Sequence, residues 1–325
     1  MAVYTELSMQ EIEHLLSQYD MGNLSDFQEI TSGIENTNYF VTSLHPKQGV
    51  RRWVLTLFEN IKSDDLPYFC DLTRHLEQGG FKVPAPVINR VGGSIFCLKD
   101  KSGVIVPCLN GASLDQPDNP SCASVGAYLA GMHLSLRSFS QHRPMHRNVE
   151  WMKCQLEALE IYMTTCEFKV LKGYVKRYCA YQSHLMDCPQ GTVHGDLFRD
   201  NILFEGDTIS GVIDFYHACD ATFMFDLAVA ANDWAIGTDG LHDKARLESL
   251  CEGYQSERAW TDKERVMWPF CLELAALRFW VSRLASLYLP SYQHRSVVGN
   301  PIKNPDEMKA ILLGLVAWDE DVVIN

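Results

Sequence analysis

One stretch, VHGDLFRDNILF at 193–204, constrains this chain more than any other. Val193 on one side and Ile202, Leu203 and Phe204 on the other are apolar, so the chain leaves an interior and returns to it. Between them stand a histidine, two aspartates, an arginine and an asparagine, groups that cost free energy to bury unless each finds a partner. Two short strand candidates follow, NILFE and ISGVIDF, and the second ends at Asp214. If 202–205 and 209–213 pair as a hairpin, the loop before the first strand and the residue after the second meet at one end.

Asp196, Asn201 and Asp214 then converge. An amide oxygen and carboxylates make a hard-oxygen set suited to Mg²⁺, an ion that takes most of its ligands from phosphates and water. With the asparagine and one aspartate on the metal, the remaining aspartate could accept a proton from an attacking hydroxyl, which is the arrangement of phosphoryl transfer: base, metal-holding Asn, metal-holding Asp. A polar turn whose Asp and Asn cap local backbone explains an isolated H-x-D. The full H-G-D-x-x-x-x-N, followed by a strand and a strand ending Asp-Phe, is far more specific.

The rest of the chain sets limits on partners. The net charge is −13, from 41 acidic and 28 basic residues, and no dense basic run breaks it. This argues against a nucleic-acid backbone or an anionic membrane as partner. The N-terminus is acidic and amphipathic rather than signal-peptide-like, and Ser8 with Glu11 predicts a capping box. The most apolar long stretch, 266–290, carries Glu273, Arg278 and Arg283, so it reads as a buried helix and not a membrane span. Eleven cysteines without a C-x-x-C pair argue against disulfides and zinc, and for a reducing cytoplasm.

The organisation is α+β in two lobes. Up to about residue 107 the chain predicts strands with one helix: strands in GIENTNYFV and RRWVLTLFE, a helix in LPYFCDLTRHLEQGG stopped by Gly79 and Gly80, and a hairpin of SIFCL with VIVPCL. After the Gly/Pro/Asn/Asp-rich NGASLDQPDNP, helical periodicity dominates at 122–137, 150–187, 241–258 and 262–289. The expected division is a nucleotide-binding lobe at 1–107 and a catalytic, substrate-binding lobe at 108–325, with the cleft between lobes favoured for ligand.

HGDLFRDNILF resembles the catalytic loop of the aminoglycoside-phosphotransferase and choline-kinase branch of the protein-kinase-like fold. With GIENTNYFV, WVLTLFE, DFYHACD, FMFDLAVAANDW and RFWVSRL, the chain from about 30 to 290 resembles the homoserine kinases of that branch. The resemblance implies an enzyme using ATP and Mg²⁺ to phosphorylate the hydroxyl of a small molecule, most closely L-homoserine in threonine biosynthesis. Asp196 would be the catalytic base, Asn201 and Asp214 the metal holders, and His194 a support of the loop. VPCLNG matches the hinge, where backbone groups of about Val106 to Cys108 would meet adenine.

Two departures stand out. The phosphate loop TSGIENTNYF has one glycine where protein kinases have three, leaving Ser32, Asn36, Thr37 and Asn38 as donors to phosphate oxygens; an Asn-rich hairpin turn is the plainer reading. In WVLTLFE, Thr56 occupies the place of the phosphate-pairing lysine, with Lys62 or Arg199 as substitutes. A lost lysine also fits a non-catalytic nucleotide-binding module, although the intact acid–amide–acid set argues for turnover.

An amino-acid acceptor needs an anion holder and a cation holder. Asp226 and Asp233, seven apart, lie on one face of a helix. Asp226 near its start suits the helix dipole and a brace for the catalytic loop, and Asp233 suits an ammonium group or a solvated face. Arg278 and Arg283, in a helix apolar nearly all round, need carboxylate partners, either the substrate's or internal ones. Choline, ethanolamine and aminoglycosides are the other acceptors such a fold allows.

Overall fold

The computed structural model describes residues 4–30, 36–293 and 303–316. The chain forms two compact units that divide at Asn110/Gly111, and residues 303–316 belong to the second.

The first unit begins with α1 (Met9–Leu16), started by the expected capping box: Ser8 and Glu11 bond each other's backbone N–H. An antiparallel sheet of order β1-β2-β3-β5-β4 follows, made of β1 (Asn23–Ile30), β2 (Asn36–His45), β3 (Gly49–Phe58), β4 (Phe96–Leu98) and β5 (Lys101–Pro107). The helix α2 (Leu66–Gln78) ends at Gly79 and Gly80 as the sequence predicts. Side chains alternate along β2 and β3, so the sheet has two chemically distinct faces. Tyr39, Val41, Leu55 and Leu57 point to one face and form a dry core with Ile12, Leu15 and Leu16 of α1. Asn38 and Thr56, directly opposite each other in the register, point to the other.

The second unit is mainly helical: α3 (Asn119–Ser135), α4 (Val149–Leu159), α5 (Thr165–Met186), α6 (Phe223–Trp234), α7 (Lys244–Glu257), α8 (Asp262–Tyr288), α9 (Pro290–Gln293) and α10 (Pro305–Val316). Two small antiparallel pairs interrupt it, β6 (Gln190–Val193) with β9 (Cys219–Thr222), and β7 (Ile202–Glu205) with β8 (Thr208–Val212). The second pair is the expected hairpin. The first was not legible, because QGTV and CDAT are too short and too mixed for an alternating pattern. The helix expected across 150–187 is two helices, since Thr164 accepts the Glu167 N–H and starts α5 afresh. Among the described residues, no helix is long and apolar enough to cross a membrane.

Helices α3 and α7 meet almost backbone to backbone. A Cβ on Gly126 would lie 2.0 Å from the Leu250 carbonyl oxygen, and one on Gly253 would lie 2.0 Å from that of Ala123. Neither neighbour is a flexible side-chain tip, so an added methyl must push the helices apart. Gly253→Ala is expected to cost about 2 kcal/mol or more, in the range of core overpacking. Urea unfolding checks this, and an unchanged midpoint would refute the close packing.

Candidate active site

Strand β6 delivers the chain at Val193, and the loop after it is fixed residue by residue. Gly195 has φ +77°, and a Cβ there would meet the His217 carbonyl oxygen at 2.8 Å, so the turn after His194 requires glycine. The His194 ring bridges two segments: Nδ1 accepts the Asp196 N–H at 3.2 Å, and Nε2–H donates to the Ile213 carbonyl at 3.0 Å. Burial lowers its pKa, which keeps this neutral tautomer.

Asp226, in the first turn of α6, lies beneath the loop with no solvent exposure. Its carboxylate accepts the N–H groups of His194 and Gly195, both at 2.8 Å, and His133 Nε2 at 3.0 Å. Burial works against its ionisation, but these donors and the neighbouring histidines win, and its pKa is lowered. His133 Nδ1 in turn meets the Tyr254 hydroxyl at 2.8 Å, across the α3–α7 contact.

Downstream, Arg199–Asn201 form a short 3-10 turn. Asp233 accepts the Arg199 N–H at 2.6 Å and the guanidinium Nε and Nη2 at 3.1 and 3.3 Å, while Nη1 donates to the Asp115 carbonyl at 2.7 Å. Asn201 Nδ2 donates to the Asp196 carbonyl at 2.8 Å and to its Oδ2 at 3.3 Å. The Asn201 carbonyl accepts the Ile213 N–H at 3.0 Å, which ties this turn to the strand leading into Asp214. Asp214 itself is held in the left-handed region, at φ 64° and ψ 58°. The polar residues of the 193–204 stretch thus have partners, and most of those partners hold the loop in shape.

Asp196 is the exception in its electrostatics. Burial pushes its carboxyl up to about 7, helped by Asp214, while Arg278, Lys303 and Arg147 pull it down. A carboxylate near neutrality is suited to taking a proton. Asn201 directs its amide nitrogen at Asp196, which turns its oxygen the other way. Among the described residues, no three His, Cys, Asp or Glu side chains make a metal cage by themselves. An amide oxygen and one carboxylate fit an ion whose shell is completed by phosphates and water.

The structure redistributes several residues singled out in the sequence. Ser32 lies outside the described residues. Thr37 is turned to the α1 face, where its hydroxyl donates to Glu59 Oε1 at 2.6 Å and accepts the N–H groups of Tyr4 and Thr5, so it offers no side chain to a phosphate on the Asn38 face. Asn38 Oδ1 accepts the Thr56 hydroxyl at 2.7 Å, and Asn36 Oδ1 is buried without a partner among the described residues. Thr56 therefore shares a face with Asn38. Lys101, bonded to Glu59 and to Thr5, lies with Thr37 and does not take the missing lysine's place.

At the expected hinge, the Cys108 N–H bonds the Arg52 carbonyl at 3.1 Å. Antiparallel alternation turns Val106, opposite Val54, the same way. The outward backbone acceptor is therefore the Pro107 carbonyl, inside the expected Val106 to Cys108 span.

Asp233 is committed to Arg199 and is no ammonium holder. Arg283 Nη1 bonds Glu307 Oε2 and the Asn304 carbonyl, both at 2.7 Å, so it anchors α10 and is no substrate ligand. Arg278 lies over the Phe279 ring at 3.9 Å, and its charge lowers the Asp196 carboxyl against the effect of burial. Sequence reasoning missed His133, whose only signal was a polar residue at a core position of the LAGMHLSL helix.

A loop built in this way, with an acid, an amide and a second acid on a hairpin, is that of an enzyme transferring phosphate. The chain belongs to the phosphotransferase enzyme family, whose profile matches residues 26–260. It is 39% identical over 290 residues to a homoserine kinase of Methylobacillus flagellatus, with 89% of each chain covered. It is 36% identical over 322 residues to a homoserine kinase of Neisseria meningitidis serogroup B, covering 97% of this chain and 100% of the other. Amicoumacin kinase in complex with AMP-PNP shares the fold with a TM-score of 0.70 at 19% identity, over 97% of this chain and 94% of that one. Choline kinase from Cryptosporidium parvum gives 0.67 at 11% identity, over 96% and 97%. The α+β, protein-kinase-like class expected from the sequence is the one found.

Proposed function

We propose that this chain is an ATP- and Mg²⁺-dependent kinase that phosphorylates the side-chain hydroxyl of L-homoserine. The observation that supports it most is the 39% identity to a homoserine kinase over 89% of both chains, with the acid–amide–acid loop intact. Asp196 orients the acceptor hydroxyl and takes its proton as the oxygen bonds the γ-phosphorus and the bond to the ADP oxygen breaks. Asn201 and Asp214 would hold Mg²⁺, which supplies charge neutralisation to the ATP phosphates. Asp226, His194 and Asp233 fix the loop, so little reorganisation is needed at the moment of transfer. In the first unit, Asn36, Asn38 and the Pro107 carbonyl are the proposed nucleotide contacts. All eleven cysteines are free thiols, which suits the reducing cytoplasm where we place the enzyme.

An ADP-release assay tests this reading. L-homoserine is expected to stimulate release in the presence of Mg²⁺, and EDTA to abolish it, with choline, ethanolamine and an aminoglycoside far less effective. ATP binding with no stimulation by any acceptor would sink the proposal in favour of a non-catalytic nucleotide-binding module.

A further inference from the structure

A closed ring of polar side chains in the first unit lies on the α1 side of the sheet, behind the face that carries Asn38 and Thr56. Thr37 has no solvent exposure, and every hydrogen-bonding use of its hydroxyl is filled. It donates to Glu59 Oε1 at 2.6 Å and accepts the N–H groups of Tyr4 and Thr5 at 3.0 and 3.2 Å. The Thr5 hydroxyl donates to the same Glu59 oxygen at 2.9 Å, and Lys101 Nζ closes the ring by bonding Glu59 Oε2 and the Thr5 hydroxyl. Glu59 follows the last residue of β3, and Lys101 is the first of β5. The antiparallel register that sets Leu57 opposite Gly103, continued by two residues, brings 59 and 101 face to face. Only 9% of the Glu59 side chain is exposed. Burial works against its charge, but the bonds from Lys101, Thr37 and Thr5 win, and its pKa is lowered. Two residues along β2, the Tyr39 hydroxyl accepts the Leu7 N–H and donates to the Thr5 carbonyl, both at 3.0 Å. The segment at 4–7 is thus stitched to β2 at two successive inward positions.

We propose that Thr5, Glu59 and Lys101 are positioning residues for ATP: acting through Thr37, they fix the pitch of β2 and so aim Asn36 and Asn38 at the nucleotide. The brace rests on the kinase reading above and gives that site a support which does not itself touch the ligand. Successive side chains of a strand point to opposite sides, so holding Thr37 from one face sets how far its two neighbours turn on the other. Asn38 Oδ1 is engaged there by the Thr56 hydroxyl at 2.7 Å, which ties the aimed face to β3 as well. Stability alone does not account for the ring, because well-packed apolar side chains in place of a buried ion pair are often neutral or stabilising. Directional bonds supply what apolar packing leaves free, a fixed orientation: any rotation of Thr37 breaks several of them at once.

The test compares the full-length wild type, Thr37→Val, Thr37→Ser and Lys101→Met by calorimetric titration with Mg-ATP, by steady-state kinetics with L-homoserine, and by thermal melts. Thr37→Val keeps the shape and removes every bond of the hydroxyl. It is expected to raise the ATP Kd and KM about tenfold or more, the scale for misplacing a binding group, with kcat at saturation and the homoserine KM within about twofold. Thr37→Ser restores the hydroxyl and should return the ATP Kd to within about threefold of the wild type. Lys101→Met removes the charge but leaves Thr37 bonded to Glu59, and should fall between. A merely structural ring would lower the melting temperature of Thr37→Val and leave the ATP Kd of the folded protein unchanged, which would overturn the proposal. ATP and homoserine KM rising together would overturn it too. Should Thr37→Val fail to fold, Lys101→Met decides alone, and an unchanged ATP Kd there overturns the brace. A wild type that binds ATP but turns over no acceptor sinks the kinase reading and leaves the brace standing if the Kd differences hold. A wild type that binds no ATP overturns both.

Discussion

Asp196→Asn is expected to lower kcat at least about a hundredfold and, at the same time, to make the protein more stable. The first effect is the lower end for losing a positioned general base. The second follows from the raised carboxyl. In the unfolded chain an aspartate ionises near pH 4, whereas in the fold burial holds Asp196 at about 7. Below both values the group is protonated in either state and no penalty exists. As pH rises between them, the unfolded state releases a proton that the folded state retains, so stability falls; above 7 the penalty is complete. Because the side chain is only partly shielded from solvent, the gain for asparagine at pH 8 is expected to be about 1–3 kcal/mol. It should vanish below pH 4. Activity of the wild type should rise with pH as Asp196 ionises, with its acid limb at or below pH 7, because Mg²⁺ held as proposed by Asn201 and Asp214 would further favour the carboxylate. Urea unfolding at pH 4 and pH 8 with a kcat/KM profile checks both halves. A variant that is inactive but less stable at pH 8 would show that Asp196 holds the fold and is not kept there at its expense.

The parts of this design that were legible in the sequence are the local ones. Asp196, Asn201 and Asp214 fall within one loop and one hairpin, so their spacing alone predicts that they approach. The long-range partners left no comparable mark. His133 reaches Asp226 across 93 residues and Arg147 reaches Ser282 across 135, and nothing near either residue announces the contact. Thr37 shows the same limit in a strand. Alternation separates it from Asn36 and Asn38, but which face is inward depends on Tyr4 and Thr5, more than thirty residues away. Arg283 was ambiguous because α8 is buried nearly all round, and its partner Glu307 sits on α10, a helix that the sequence pattern did not mark. Asp233 misled for a related reason: a carboxylate deep in a helix looks available until Arg199, inside the catalytic motif itself, is found to hold it.

The other large effect is expected at Asp226, where stability and turnover are coupled through the same three hydrogen bonds. Asp226→Ala would leave two backbone N–H groups and the His133 ring N–H buried without an acceptor, at about 1–3 kcal/mol each. The total is a large share of the roughly 5–15 kcal/mol that keeps a domain folded, so the alanine variant is expected to be largely unfolded or insoluble. Asp226→Asn separates the two roles. Its single oxygen can still accept from the loop, but its amide nitrogen is a donor facing at least one other donor, so the loop must shift. Turnover is expected to fall about tenfold to a hundredfold, with the ATP KM little changed, because the residue acts on the geometry around Asp196 and does not itself touch the nucleotide. The pH dependence has the opposite sign to that of Asp196. The folded pKa of Asp226 is lowered, so its contribution is complete above the unfolded value near 4 and is lost as pH falls through the folded one. The stability gap between wild type and Asp226→Asn should therefore be constant above about pH 5 and close in acid. Tyr254→Phe provides the control further along the same chain of contacts: it removes the hydroxyl on His133 Nδ1 while leaving the carboxylate and both loop N–H bonds in place. If Tyr254→Phe slows turnover as much as Asp226→Asn, the loop is not positioned by the carboxylate, and the assignment of Asp226 as its brace fails.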